Sequence, residues 1–170
     1  LTFTPKTSTY GIAIGGADAV GTTLGFVASE LSGVTAGTLR FGSATSTPSG
    51  DISVAAAFAP SGTSTVALRT TGSVTSSSAI TIANLGVSAG GDINLSGASN
   101  VTTLAMTTSK SVSPVVAYTE ATGQTYAVGT VDSISGNFGA AVSYTVANVP
   151  TQGYIGAIFN PAPVVTLKDL

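Results

Sequence analysis

Seven carboxylates make up the chain's stock of acids: Asp18, Glu30, Asp51, Asp92, Glu120, Asp132 and Asp169. Histidine and cysteine are both absent, which removes the commonest general base and metal ligand and excludes disulfides and thiolate metal centres. Carboxylates alone can cleave a glycosidic bond when two of them lie about 5–10 Å apart across it. Asp51 and Asp92 are the pair to test. Each directly follows a turn glycine, Gly50 or Gly91, and Ser73 follows Gly72 between them. As corners of stacked strands the two acids would be two levels apart, about 9.6 Å at a strand spacing of ~4.8 Å. The competing reading is an aspartate that hydrogen-bonds its own corner, a common role beside glycine. The second reading is adopted, and no residue is assigned a catalytic, cofactor-binding or metal-binding role.

Other chemical patterns are weaker. Gly90-Gly-Asp92 and Gly15-Gly-Ala-Asp18 share glycines and an acid with calcium-binding nonapeptide rolls but lack the tandem motif. The glycine-rich stretch 11–21 has no Gly-Lys-Ser/Thr and is not a phosphate loop. Asn94-Leu-Ser and Asn100-Val-Thr match the glycosylation sequon, which arises readily by chance in a chain with 22 Ser and 27 Thr. Arg40, Arg69 and Lys110 are expected on a solvated outer face.

What must position these residues is a repeat. Val66 and Leu68 recur 19 residues on as Leu85 and Val87, then as Leu104 and Met106. Val74, Ile93 and Val112 form a second column at the same period, and Ile82 with Val101 a third. A unit with three apolar columns cannot bury its own face, but neighbours stacked on it can. Nineteen residues at about 3.3 Å each give a perimeter of roughly 60 Å, enough for three short strands and their corners. The expected fold is all-β, a parallel β-helix of about 19–22 residues per rung. Leu39 and Phe41 open an earlier, longer rung, whose extra residues fall near 44–49 and 60–63, both rich in Pro, Gly, Ser and Thr. Gly50, Gly72 and Gly91 precede the second strand, and Asp51, Ser73, Asp92 and Ser111 are expected to form an outward column. A single helical turn is expected near Ala28–Leu31.

After residue 117 the pattern changes. Six of the eleven aromatics lie there, stretches 125–131, 141–149, 153–159 and 164–167 read as strands, and Gly136–Gly139 reads as a turn. The chain divides accordingly into a shaft segment, 1–117, and a strand-rich section, 118–170, either continuing as looser rungs or folding back as antiparallel hairpins. The second section is expected to cap the coil or join it to a neighbour, through 153–159 or 164–167.

Only 7% of residues are charged, against about 25% in a typical soluble protein, so Ser and Thr keep the surface wet. A net charge of −2 with five Lys and Arg argues against nucleic acid. No apolar stretch approaches the roughly 20 residues of a membrane helix. There is no signal-peptide pattern at Leu1, and the start in mid-pattern suggests a piece of something longer.

Gly11-Ile-Ala-Ile-Gly-Gly16, Ser29-Glu-Leu31, Ala36-Gly-Thr-Leu-Arg-Phe-Gly-Ser43, Gly50-Asp-Ile-Ser-Val54 and Ala89-Gly-Gly-Asp-Ile-Asn-Leu95 together resemble modules of large bacterial exoproteins of the filamentous-haemagglutinin type. The resemblance covers residues 1–115. It implies a right-handed β-helical shaft displayed on, or released from, the cell surface. It also implies a structural and adhesive role without catalysis or cofactors. Partners would be neighbouring repeats of the same long chain or identical subunits, with host or environmental glycans or proteins as ligands, and no membrane insertion. The alternatives are a subunit of an extracellular filament assembled through terminal strands and a glycan-cleaving enzyme.

Overall fold

In an extended chain, residues two apart share a face, so Val66 and Leu68 leave one side of their strand and Ala67 the other. The computed structural model describes residues 1–16, 18, 21–43, 48, 50–136, 142–144 and 165–167. Along these the chain forms β1 (Thr2–Phe3), β2 (Gly11–Ile14), β3 (Thr23–Phe26), α1 (Ala28–Ser32), β4 (Leu39–Phe41), β5 (Ile52–Val54), β6 (Thr65–Thr70) and β7 (Val74–Ser76). There follow β8 (Thr81–Ala89), β9 (Ile93–Thr108), β10 (Val116–Glu120), β11 (Ala127–Val128), β12 (Thr130–Val131), β13 (Ile134–Ser135), β14 (Val142–Tyr144) and β15 (Val165–Leu167). The fold is all-β, dominated by one large curled sheet.

That sheet holds eleven strands in the order β1-β4-β6-β8-β9-β7-β5-β2-β3, with β10 and β11 also pairing β9. Every pairing in it is parallel. The 16-residue β9 joins its two halves: Ile93–Leu95 pairs with β7, while Asn100–Thr108 pairs with β8. The 19-residue period is a register. Leu85 sits between Val66 and Leu104, Val87 between Leu68 and Met106, and Ile82 beside Val101. Leu39 and Phe41 pair with Val66 and Leu68 across the longer first interval. Ile52 beside Val74 completes that longer rung as expected. Part of its corner, 44–47 and 49, lies outside the described residues.

These columns form the core. Leu39, Val66, Leu85 and Leu104 are all fully buried, as are Ile52, Val74 and Ile93. Burying each such side chain contributes about 1.5–3 kcal/mol. Rings close the core at both ends. Phe3, Phe26, Phe41 and Phe58 pack with centroids 4.8–6.0 Å apart at the first end, and Tyr118 lies edge-on to Tyr126 at 5.1 Å at the other.

One column departs from expectation. Val116, not Val112, stands beside Ile93, and Val112 is 74% exposed. Val116 and Tyr118 reproduce the two-residue spacing of Ile93 and Leu95, which they pair. Val112 in that place would bring Pro114 opposite Leu95, and proline cannot donate to a ladder. The corner lengthens instead, with Ser113 at φ 46. Val115 consequently takes the place expected for Ser111 after Asp92.

The chain also leaves the stack in a way that its pattern does not announce. Val128 pairs with Leu104, and then the strand breaks at Gly129. Continuing in register would turn Val131 outward to solvent. Instead β12 and β13 form an antiparallel hairpin, Val131 opposite Ile134, around Asp132 and Ser133 at φ 50 and 62. Two central residues with positive φ make a type I′ turn, whose twist suits a hairpin. The hairpin lies on the outer face of the sheet, where Val131 and Ile134 cluster with Ala67 and Ala105. Arg40, Ala67, Gly86 and Ala105 are successive neighbours across that face. A Cβ on Gly86 would come to 3.0 Å from Ile134 Cδ1 and from the Val131 carbonyl, so the hairpin packs closely over this glycine.

β14 and β15 pair antiparallel, with Val142 opposite Leu167. The expected turn at 136–139 lies, but for Gly136, outside the described residues, as does the strand expected at 153–159. α1 is the helical turn expected near Ala28, whereas β3, a strand that no expectation covered, pairs parallel with β2.

Candidate functional site

The described acids are occupied by backbone and cations, or stand apart. Asp18 is exposed. Glu30 accepts a hydrogen bond from the Val27 amide at 2.9 Å, one of the free donors at the start of α1. Asp169 lies outside the described residues.

Asp51 and Asp92 belong to a corner ladder. The Ser73 amide donates to Asp51 Oδ1 at 2.7 Å, the Asp92 amide to Ser73 Oγ at 3.2 Å, and the Val115 amide to Asp92 Oδ1 at 2.8 Å. Each side chain thus accepts the amide of the next level. The glycine before each corner is needed for close approach between levels: a Cβ on Gly50, Gly72 or Gly91 would meet a neighbouring atom at 2.3, 2.6 or 2.4 Å. Lys110 Nζ donates to both oxygens of Asp92, at 2.8 and 2.7 Å. The Lys110 bonds, then the Val115 amide, hold the Asp92 carboxyl below its usual range. A general acid needs the opposite shift.

Glu120 accepts from the Tyr118 hydroxyl and from the Val101 amide. Burial first, and the hydrogen bond to Glu120 second, raise the Tyr118 hydroxyl pKa well above its ordinary value; burial and then the Glu120 charge raise Tyr126. The arrangement closes one end of the core and keeps both phenols protonated.

Asp132, at the hairpin turn, receives Arg40 Nε at 2.7 Å, and Arg40 Nη2 on its other oxygen. Arg69 Nη2 donates to the Asp132 carbonyl and lies 3.4 Å from Oδ2. The Arg40 hydrogen bonds are the main reason that the Asp132 carboxyl lies below its usual range. Arg40 and Lys110 are partly exposed on outer faces, but the Arg69 side chain is only 13% exposed rather than solvated; all three are paired, and sequence reasoning missed their partners. Only the hairpin turn at Asp132 could have signalled the arginine pair, and Asp-Ser is a weaker turn signal than Asp-Gly.

Among the described residues are two open polar grooves. One of about 330 Å³ is lined by Ser53, Thr75 and Asn94, successive neighbours across the sheet, with Ser77 and Ser96 beside them. The other, about 200 Å³, is lined by Thr70, Thr71, Ser88, Thr107, Thr108 and Ser109. Hydroxyls and an amide can hydrogen-bond a polar ligand. They carry no group that would activate a nucleophile. Both sequon asparagines, Asn94 and Asn100, are exposed. Among the described residues no three His, Cys, Asp or Glu side chains come together as a metal would need, and no helix is long and apolar enough to cross a membrane.

No family model matches the chain, no curated protein matches it, and no solved structure matches its fold.

Proposed function

We propose that this chain is a segment of a right-handed parallel β-helical shaft in a secreted bacterial surface protein, with a structural and adhesive role and no catalytic one. The observation that carries the reading is the register: apolar columns continue in phase from level to level. Right-handedness is the expected hand because crossovers between parallel strands are overwhelmingly right-handed. The resemblance of residues 1–115 to exoproteins of the filamentous-haemagglutinin type supports surface display. A glycan-cleaving activity gains nothing from Asp51 and Asp92, whose carboxylates accept amides of the next level at the corners. The test is electron microscopy of the native assembly at a resolution that separates strands. Expected is a continuous rod with rungs every ~4.8 Å along its axis; globular particles, or a left-handed coil, would end this reading.

Assembly of separate subunits into a filament is favoured by one feature. Val128 lies beside Leu104 on the last level and is 49% exposed, an apolar side chain outside the ring pair that covers this end of the core. Concentration-dependent end-to-end growth of the purified chain would support a filament subunit, and a monomer at all concentrations would oppose it.

A further inference from the structure

The sheet carries two hydrophobic clusters that share no residue. The larger is the core between its curled halves; the smaller, on the outside, comprises only Ala67, Ala105, Val131 and Ile134. We propose that the β12–β13 hairpin is an electrostatically held strap that opens and closes as a unit while the core beneath stays folded. Its type I′ turn and the bond from the Gly136 amide to the Gly129 carbonyl, 2.8 Å, tie its two strands together, so that they are released together. Glycines at both ends, Gly129 and Gly136, leave the backbone free to swing there. Among the described residues its apolar hold is two side chains on two alanines. The rest of the grip is Asp132 between Arg40 of β4 and Arg69 of β6. Regions with few apolar contacts open locally at lower free energy than the core.

Closed, the strap ties the segment leaving the last level to strands 63 and 92 residues earlier, bracing successive strands against sliding. Open, it bares two arginines and a flat strip of Ala67, Gly86 and Ala105.

Hydrogen exchange on the full chain tests this. Raising salt to 1 M shortens the screening length from about 10 Å to about 3 Å. Exchange over residues 130–136, including the Gly136 amide, should then accelerate about fivefold at most, while amides at Leu85 and Leu104 keep their rates. Asp132→Asn should produce the same selective acceleration at low salt. Strap and core amides exchanging together, or a strap that ignores salt, would overturn the proposal. The salt experiment on the unaltered chain decides the matter if the substituted protein does not fold.

Discussion

Leu85 and Gly86 are adjacent in the chain and face opposite ways. Leu85 looks into the core and meets Val66 and Leu104, its own counterparts one level before and after. Gly86 looks outward and meets Val131 and Ile134, which have no counterparts elsewhere in the repeat. The inner face is built by repetition, with each level covering the last. The outer face is built by a single match between a strip of small residues and a hairpin some 45 residues later. Repetition makes the inner face cooperative, since removing one level uncovers two. The single match makes the strap dispensable to everything beneath it.

The largest expected effect lies on the inner face. Leu85→Asp would put an unpaired charge where the wild-type side chain is fully buried. It should cost about 4 kcal/mol or more and melt strap and core together. Chemical denaturation checks the cost. Survival of the core with a normal midpoint would show that Leu85 is not the shared partner of two levels.

Gly86→Leu tests the other face of the same strand. Its Cβ alone would crowd Ile134 and the Val131 carbonyl at 3.0 Å, so the strap must lift. The expected loss is about 1–3 kcal/mol, the usual range for overpacking, confined to residues 130–136. If chemical shifts of Val66 and Leu104 move as much as those of Val131, the two faces are not independent.

Asp132→Asn should be milder. Arg40 is 37% exposed, so solvent screens the pair and the cost is about 1 kcal/mol. The sign with pH is fixed by the direction of the shift. A carboxyl whose folded pKa lies below its unfolded value stabilises fully above about pH 4. That contribution disappears as pH falls through the folded value. Asp92 is shifted the same way, first by Lys110 and then by Val115, so the wild type loses stability in acid through both. Asp132→Asn should flatten part of that acid slope and leave the curve above pH 5 parallel to wild type. An unchanged acid slope would mean that Asp132 titrates alike folded and unfolded.

This contrast also explains what could be read from residue order. The Val66, Leu85 and Leu104 column was legible because size and apolarity recur at a constant interval. Leu39 and Phe41 joined it because an insertion at a corner leaves strand pairing in phase. The corner role of Asp51 and Asp92 was legible from the glycines before them. The strap was not. Ala67, Gly86 and Ala105 look like a plain outer face until something lies on them, and no period connects them with Val131 and Ile134. The pairing of Arg40 and Arg69 with Asp132 was hidden for the same reason, because contacts spanning 92 and 63 residues leave no local trace. β3 was missed because Thr23–Phe26 carries neither the period nor a clean alternation.

The smallest expected effect concerns which residues belong to the inner face at all. By spacing alone Val112 extends the column of Val74 and Ile93; by register Val116 does. The two differ most in burial, with Val112 at 74% exposed and Val116 at 6%. Val112→Ser should therefore change stability by no more than about 0.5 kcal/mol, as surface substitutions do. Val116→Ser removes buried methyl groups beside Ile93 and should cost about 1–3 kcal/mol. Pro114 supplies one physical reason for the slip, and its weight can be tested in the same background. With Pro114→Thr the 19-residue spacing regains a ladder donor at that position. If Pro114 alone displaced the register, Val112→Ser would then become costly and Val116→Ser cheap. If Val116 and Tyr118 hold the register through their fit to Ile93 and Leu95, the order of the two costs stays as it is. The second outcome is expected, because a lone proline removes one donor whereas the pair fills two core positions.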